Sequence, residues 1–516
     1  MANVLDNIIS WVSPSAGYRR EAWRHSLDQI RNYDAGGYDR INSRWTAYNQ
    51  SAEQTDRYSR DVIRARARDL ERNSDMANSV IKAFERNVIG LGWTLQANTY
   101  KEKLNNQIEE LWKDWCKKKN CDVTGTQSFN QMLRMIVTRK KVDGGILLKK
   151  CYTSDGILPF QLQTIEVDEL DDSQAQPYAK ENKVCGGIEF NKYNKPVGYW
   201  IKQYSVDGFD SIEPIYVPAK DIMFLFTKRR PSQVREISDF APTITRIRDA
   251  NEYMTAVSVK ERIMACLAVF IKKSLPVSGI GRGGVSIAED RKDYDGKSIV
   301  PGMIKELNAG DEVQVVNPAG QGADSTDYIK LQQRLIGAGQ GLSYEATSRD
   351  MSQSNYSSAR QGSIEDGQTF ISEIELIQEL LDEVYETFII SAVLSGKLSI
   401  NNFWENKNKY FKHKWVAAPK KWIDPLKEAN SQKIALQTGQ KTFMQIAAEN
   451  GKDWKEQLDE IITVLEYGKE KGIDLGGVIF GQNGIFSTEE SVPGTESSAT
   501  GEGTEEGTGK VNNQDA

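Results

Sequence analysis

Two long, one-sided apolar stretches constrain the fold more than anything else in the chain. In TITRIRDANEYMTAVSVKERIMACLAVFIKK, residues 243–273, the apolar positions Ile244, Ile247, Met254, Val257, Met264, Leu267 and Ile271 recur at spacings of three, four and seven. That period lines them along one face of a helix of some thirty residues, longer than a typical globular helix. A second stripe, Ile374, Ile377, Leu381, Val384 and Phe388, marks another long helix downstream. Helices of this length offer a core face and leave another face for a neighbour. The apolar run MACLAVFI, residues 264–271, is far too short to span a bilayer.

The surrounding chain divides by pattern. Residues 1–50 are polar and aromatic and read as an arm held by a few Trp and Tyr anchors. Residues 55–73 read as a helix that Thr55 can cap and Asn73-Ser74-Asp75 breaks. Further helices follow: one to Gly90, one over 101–119 that contains Cys116, and one from Phe129 to Lys141. Between 145 and 227 the pattern changes to short strands, GILLKKCYT, LPFQLQTIEV, GGIEF, PVGYWIKQY and DIMFLF, separated by Gly, Pro, Asn and Asp turns. Residues 424–470 are punctuated like a compact helical group. Asp424 precedes Pro425, Gly439 stops a helix, and Thr442/Gln445 and Asp453/Glu456 have capping-box spacing. The end of the chain has almost no large apolar residues and is expected to be disordered.

Charge is unevenly placed. From Phe486 onward there are seven acids and one base, which accounts for the whole net charge of −6, so residues 1–485 are formally neutral. A neutral body argues against a broad basic face that grips nucleic acid, though not against one that DNA slides past. Five cysteines without a CxxC pair read as reduced thiols. The segment MANVLDNIIS lacks the basic and long apolar regions of a signal peptide.

Tests for chemistry come out bland. NYSSARQGSIEDGQTF, residues 355–370, places Ser357 and Ser358 beside Arg360, but serine catalysis needs a base within reach. The chain has only His25 and His413, neither in a motif, and no G-x-S-x-G surrounds the serines. Ser358 with Gln361 instead fits a capping box opening a helix. Cys116 and Cys121 form an isolated pair, short of the four ligands of a structural zinc. GIGRGGVSI, residues 279–287, lacks the Gly-Lys-Ser/Thr ending of a phosphate loop. The ladder Arg64, Arg66, Arg68 and Arg72 reads as a solvated or subunit-contact face, and Asp171-Asp172 stands beside no nuclease-like cluster. No enzyme, metal or cofactor is indicated.

The order of features resembles bacteriophage portal proteins of the lambda family. The resemblance lies in RARARDLERNSDMANSVIKAFERNVIGLGWTLQA (64–97), DGGILLKK, LQTIEVDEL, VPAKDIMFLFTKRRPSQVREIS (217–238), NYSSAR and WIDPLKEANSQKIALQTGQKT (422–442), and covers roughly residues 18–475. Ser232 and Glu236 stand where the family pattern has glycines, and Met223 where a histidine is common, which puts the backbone after DIMFLF in doubt.

The resemblance implies an α+β portal fold assembled as a ring, usually a dodecamer. Its parts would be an N-terminal arm 1–50, a wing 51–235, a first stem helix 236–273, a clip 274–325, a second stem helix 326–341, a tunnel loop 342–356, a wing return 357–415, a helical crown 416–480 and a disordered acidic tail 481–516. It implies a DNA channel at one capsid vertex of the virion, assembled in the host cytoplasm. The implied partners are the large terminase, major capsid and scaffold proteins, head-completion and tail adaptor proteins, and double-stranded DNA, with no membrane. Asn355, Tyr356, Ser357, Ser358 and Arg360 would then mark the turn from tunnel loop into helix. The alternative is a capsid or tail adaptor that forms no ring.

Overall fold

The computed structural model describes residue 9 and residues 11–31, 49–204, 211–265, 270–273, 305–309, 322–352, 355–417 and 425–473. The acidic tail, most of the 274–325 segment, Leu267, Cys266 and Asp424 lie outside the described residues. The chain forms two compact units. The first comprises Met1–Asn78, Arg139–Leu147 and Glu166–Gln332, the second Ser79–Thr138, Leu148–Ile165 and Gln333–Ala516.

In the first unit, the strands Lys183–Cys185, Ile188–Phe190, Pro196–Tyr204 and Ser211–Pro218 form an antiparallel meander. Tyr199 faces Val217 and Ile201 faces Ile215 across its last pair. Among the helices that precede it in the chain are Ala52–Asp56 and Arg60–Asn73. The expected single helix with Thr55 as cap is therefore corrected. Ser51 caps the first helix in a reciprocal box with Gln54, while Thr55 has no Glu or Gln three residues on and its Oγ donates to the Ser51 carbonyl. The break at Ser74 is as expected: Ser74 ends the helix Arg60–Asn73.

The first long helix runs Ile244–Ala265. Ile244 and Ile247 are buried, and Met254 and Val257 half-buried. The helix does not extend to 273: Ile271 lies in the strand Phe270–Lys273, which runs parallel to Lys305–Ala309. A short apolar run rich in Val, Phe and Ile suits strand as well as helix, and the partner strand decides it. Tyr253 packs on Tyr328 of the helix Gly322–Gln340, ring centroids 4.5 Å apart.

The second unit is built on aromatic side chains. Trp112 and Trp115, from the helix Glu102–Trp115, meet Phe129, Phe160 and Phe388 at centroid distances of 5.0–5.8 Å. Trp115 is wholly buried, and its indole N–H donates to the Phe160 carbonyl at 2.9 Å, so the one polar atom is satisfied. Burial of one such ring contributes about 4–6 kcal/mol by area. Cys116 follows the helix as its C-cap residue and is not an interior position. The strand Thr94–Ala97 pairs antiparallel with His413–Val416.

The second long helix, Tyr356–Leu394, has 39 residues. Ile377, Leu381, Val384 and Phe388 are buried, as the stripe required, and Ile374 is half-buried. The segment 342–356 contains the helical turn Tyr344–Ser348 and is not all loop. Beyond it, the helices Pro425–Gln437, Phe443–Glu449 and Trp454–Glu470 match the expected group. Thr442 and Gln445 form their capping box. Asp453 caps differently from the expected box, accepting from the Lys455 N–H at 2.8 Å.

Candidate functional site

Two places in the chain concentrate specific polar geometry, one in each unit. The first is a buried charge network in the first unit. Arg235 is 1% exposed and Glu236 is fully buried. The Arg235 guanidinium donates to Glu236 at 2.8 and 3.1 Å, to Asp172 at 2.5 Å, and to the carbonyls of Gly186 and Val167 at 2.7 and 3.0 Å. Every guanidinium nitrogen is thus engaged. The attraction of Glu236 and Asp172 outweighs the burial that opposes the charge, and holds Arg235 above the ordinary arginine value.

The arginine ladder points into this network and is only half a solvated face. Arg64 pairs with Glu236 at 3.0 Å, Asp168 at 2.9 Å and Asp61 at 2.6 Å. Arg68 pairs with Asp143 at 2.7 Å and Asp168 at 2.6 Å. Burial opposes its charge, but Asp143, then Asp168 and Glu166, hold it raised. Arg66 and Arg72 face solvent. A helix turns about 100° per residue, so Arg64 and Arg68, four apart, share the inward face and Arg66 lies opposite; Arg72 follows on their side but is exposed in the last turn of the helix.

The DGG motif supplies the other side. Asp143 takes Arg68, and Gly144 lets the segment around Ile237 approach. Gly144 has φ +92°, and a Cβ there would lie 2.3 Å from the Ile237 carbonyl carbon. Close by in sequence, Asp239 accepts from Lys140 at 2.9 Å and Arg229 at 2.8 Å. Burial pushes its pKa up, but Lys141, Lys140 and Arg229 prevail and hold it below the usual carboxylate value.

The positions that depart from the family pattern take part in these bonds. Left-handed φ among the described non-glycine residues occurs at Asn194, Arg349 and Asn402, so Ser232 and Glu236 need no glycine-like backbone. Ser232 Oγ accepts from the Ala52 N–H at 3.0 Å. Glu236 is the shared anion of Arg64 and Arg235. Met223 is a buried residue of the strand Ile222–Phe226. Asp171 and Asp172, unremarkable as an acid pair, take Lys202 and Arg235 respectively.

The second place is the start of the long helix in the second unit. Asn355 is the N-cap: its side chain accepts from the Ser358 N–H at 2.8 Å, and Ser358 Oγ accepts from the Asn355 N–H at 3.0 Å. The box is therefore Asn355/Ser358, which replaces the expected Ser358/Gln361. Asn caps as well as Ser, and Ser358 is already helical. Ser357 and Arg360 are exposed, and nothing is described of the Tyr356 side chain. Asp366, buried within the helix, accepts from the Ser343 N–H at 2.6 Å and Oγ at 2.7 Å, which ties the turn Tyr344–Ser348 to the helix. Ser343 and Asp366 carry no sequence signature; their 23-residue separation is bridged only by folding.

Ser343 caps the turn Tyr344–Ser348, and Ser358 completes the box that Asn355 caps. Burial pushes the Cys121 thiol up to about 12 and Cys116 well above its ordinary value, away from thiolate chemistry. No group of three His, Cys, Asp or Glu among the described residues is placed to hold a metal ion. The chain is a mixed helix-and-sheet scaffold, and the buried charges of its first unit are paired with one another.

The family of that scaffold follows from comparison. The profile of the phage portal protein, lambda family, matches residues 38–373, well over half of the chain. The chain belongs to that family. It is 26% identical over 463 residues to a probable portal protein of Halomonas phage phiHAP-1, covering 86% of this chain and 88% of the relative. It is 20% identical over 435 residues to portal protein B of Escherichia phage lambda, covering 76% and 81%. Among solved structures, the neck of a native gene transfer agent particle computed with C12 symmetry aligns at TM-score 0.38 and 12% identity, over 73% of this chain and 90% of that one. A likeness of that size carries no structural argument.

Proposed function

We propose that the chain forms the ring-shaped DNA channel at the unique capsid vertex of a tailed phage. In this reading copies of the chain close into a ring, which connects head to tail, seeds head assembly, docks the terminase during packaging and lets DNA leave after the completion proteins attach. The observation that carries it is the family match over residues 38–373, together with relatives named as portal proteins that align along most of their length. The physical features support the reading. A closed ring of identical subunits needs heterologous interfaces, and the helices Ile244–Ala265 and Tyr356–Leu394 each bury one face and leave another exposed. The formally neutral body would let DNA pass without being held. No described helix is long and apolar enough to cross a membrane.

The test is native mass measurement and negative-stain imaging of the purified protein. A ring of about a dozen subunits, with a hole wide enough for duplex DNA, is the expected result. A small closed dimer would overturn it and favour the adaptor reading.

A further inference from the structure

One charged surface serves neither the ion-pair network nor the helix start. The stretch GKLSINNFWENKNKYFKHKWVA, residues 396–417, has five lysines and one acid. Lys414 lies on the strand His413–Val416 and Lys412 just before it; side chains alternate along extended backbone, and both lysines are exposed on one side of His413. The opposite face carries His413 and Trp415, whose ring N atoms lie 2.9 and 2.7 Å from Asp382. The Asn98 N–H donates to the Lys412 carbonyl at 2.9 Å, which brings the 98–101 turn alongside.

There the Tyr100 and Tyr410 hydroxyls are 2.8 Å apart. The Tyr410 hydrogen bond, then the charges of Lys101 and Lys409, hold the Tyr100 hydroxyl below its ordinary value. Lys101 Nζ is 5.3 Å from the Tyr100 ring centroid, and Lys407 Nζ is 4.6 Å from that of Trp404. Trp404 is 54% and Tyr100 64% exposed.

Lys101, Lys407, Lys409, Lys412 and Lys414 have no carboxylate partner among the described residues, whereas the neighbouring Lys113 and Lys455 pair with Glu456 and Glu102. Cations gathered this way repel one another until an anion joins them. The polypeptide supplies one. Residues 486–516 hold seven acids and one base, the source of the entire net charge of −6. The described chain ends at Ile473, just after the helix Trp454–Glu470, whose first turn is anchored beside the helix Glu102–Trp115 through Lys455–Glu102 and Lys113–Glu456. The last 43 residues, 474–516, reach about 140 Å when extended, against about 25 Å for that helix. A nucleic-acid partner fits less well: the group holds no arginine, the residue that best forks onto phosphate.

We propose that the face formed by Lys101, Lys407, Lys409, Lys412 and Lys414 is the docking surface of the chain's own acidic segment, residues 486–516. The proposal does not rest on the ring reading. It is tested on the full chain by lysine acylation followed by mass spectrometry, with exposed Lys192 and Lys195 as internal standards. The comparison is a full-length variant in which the six Glu of the segment become Gln and Asp515 becomes Asn. The five lysines are expected to label about threefold faster in the variant, as for a segment docked most of the time, and 1 M salt should erase the difference. Carbodiimide treatment of the natural chain should join these lysines to the segment. Equal labelling of the two chains overturns the proposal. So does slowing by added duplex DNA, equal in both chains, with no effect of the tail substitutions; that result would assign the surface to nucleic acid.

Discussion

Replacing Glu236 by alanine should destabilise the first unit more than any other single change in its charge network. Glu236 is fully buried and Arg235 is 1% exposed, so neither charge reaches water. Removing the shared anion takes a carboxylate from Arg235 and from Arg64 together, since Arg64 also bonds to it at 3.0 Å, and leaves Arg64 to Asp168 and Asp61 and Arg235 to Asp172. Breaking a buried pair by deleting one partner costs about 3–5 kcal/mol, because the remaining charge stays desolvated. For a unit of this size that corresponds to a fall in Tm of about 6–20 °C. The residual bonds of Arg235 to Asp172 and two carbonyls place the expectation toward the lower end. The assay is calorimetry of the full chain, with Lys117→Ala as control. That change removes only the exposed pair with Asp114 at 2.6 Å and should cost under about 1 kcal/mol. A double-mutant cycle with Arg64→Met should return a coupling of about 0.5–3 kcal/mol. If Glu236→Ala shifts Tm no more than the lysine control, the network contributes nothing net and the reasoning fails.

Three further outcomes follow from single contacts. Asn355→Ala should lower stability by about 1 kcal/mol through loss of the N-cap, with Ser357→Ala near neutral; equal effects of the two in denaturant titrations would contradict the assigned cap. Gly144→Ala should cost more than a surface Gly→Ala, about 1–3 kcal/mol, because its φ of +92° and the nearby Ile237 carbonyl both exclude a Cβ; Gly396→Ala, where nothing lies within 4 Å, isolates the backbone part. The third concerns acid. Asp239 is held below its ordinary value in the folded state, so the unfolded chain binds its proton first and stability rises with pH across that interval. The contribution is complete above the unfolded value of about 3.9 and is lost as pH falls through the lower folded value. Asp239→Asn should flatten unfolding midpoints measured from pH 5 to 3; an unchanged slope would assign acid sensitivity elsewhere.

Much of the architecture was legible in the order of residues because local signals are short-range. Ser74, Gly90 and Thr442 end or start helices through bonds to their own neighbours. The stripe Ile377, Leu381, Val384 and Phe388 declares one buried face whatever packs on it. The family, too, was legible, since its motifs recur along the chain in order. Where two local solutions compete, the sequence alone chose wrongly. Thr55 and Ser51 can both cap a helix, and Val-Phe-Ile suits helix and strand alike, so neighbouring residues and the strand Lys305–Ala309 made the choice.

The polar interior was beyond sequence reasoning for a different reason. Arg64 and Arg68 look solvated until Glu236, Asp143 and Asp168, brought from 75 to 172 positions away, surround them. A charge's partner is set by distance in space, and a long guanidinium side chain buries only where several acceptors converge. The same holds for Glu236, which in sequence only breaks a glycine pattern and in the fold binds two arginines. Sequence determined the elements and their kinship; tertiary structure decided which charges face inward, because only the folded chain brings acids and bases from distant segments within bonding range.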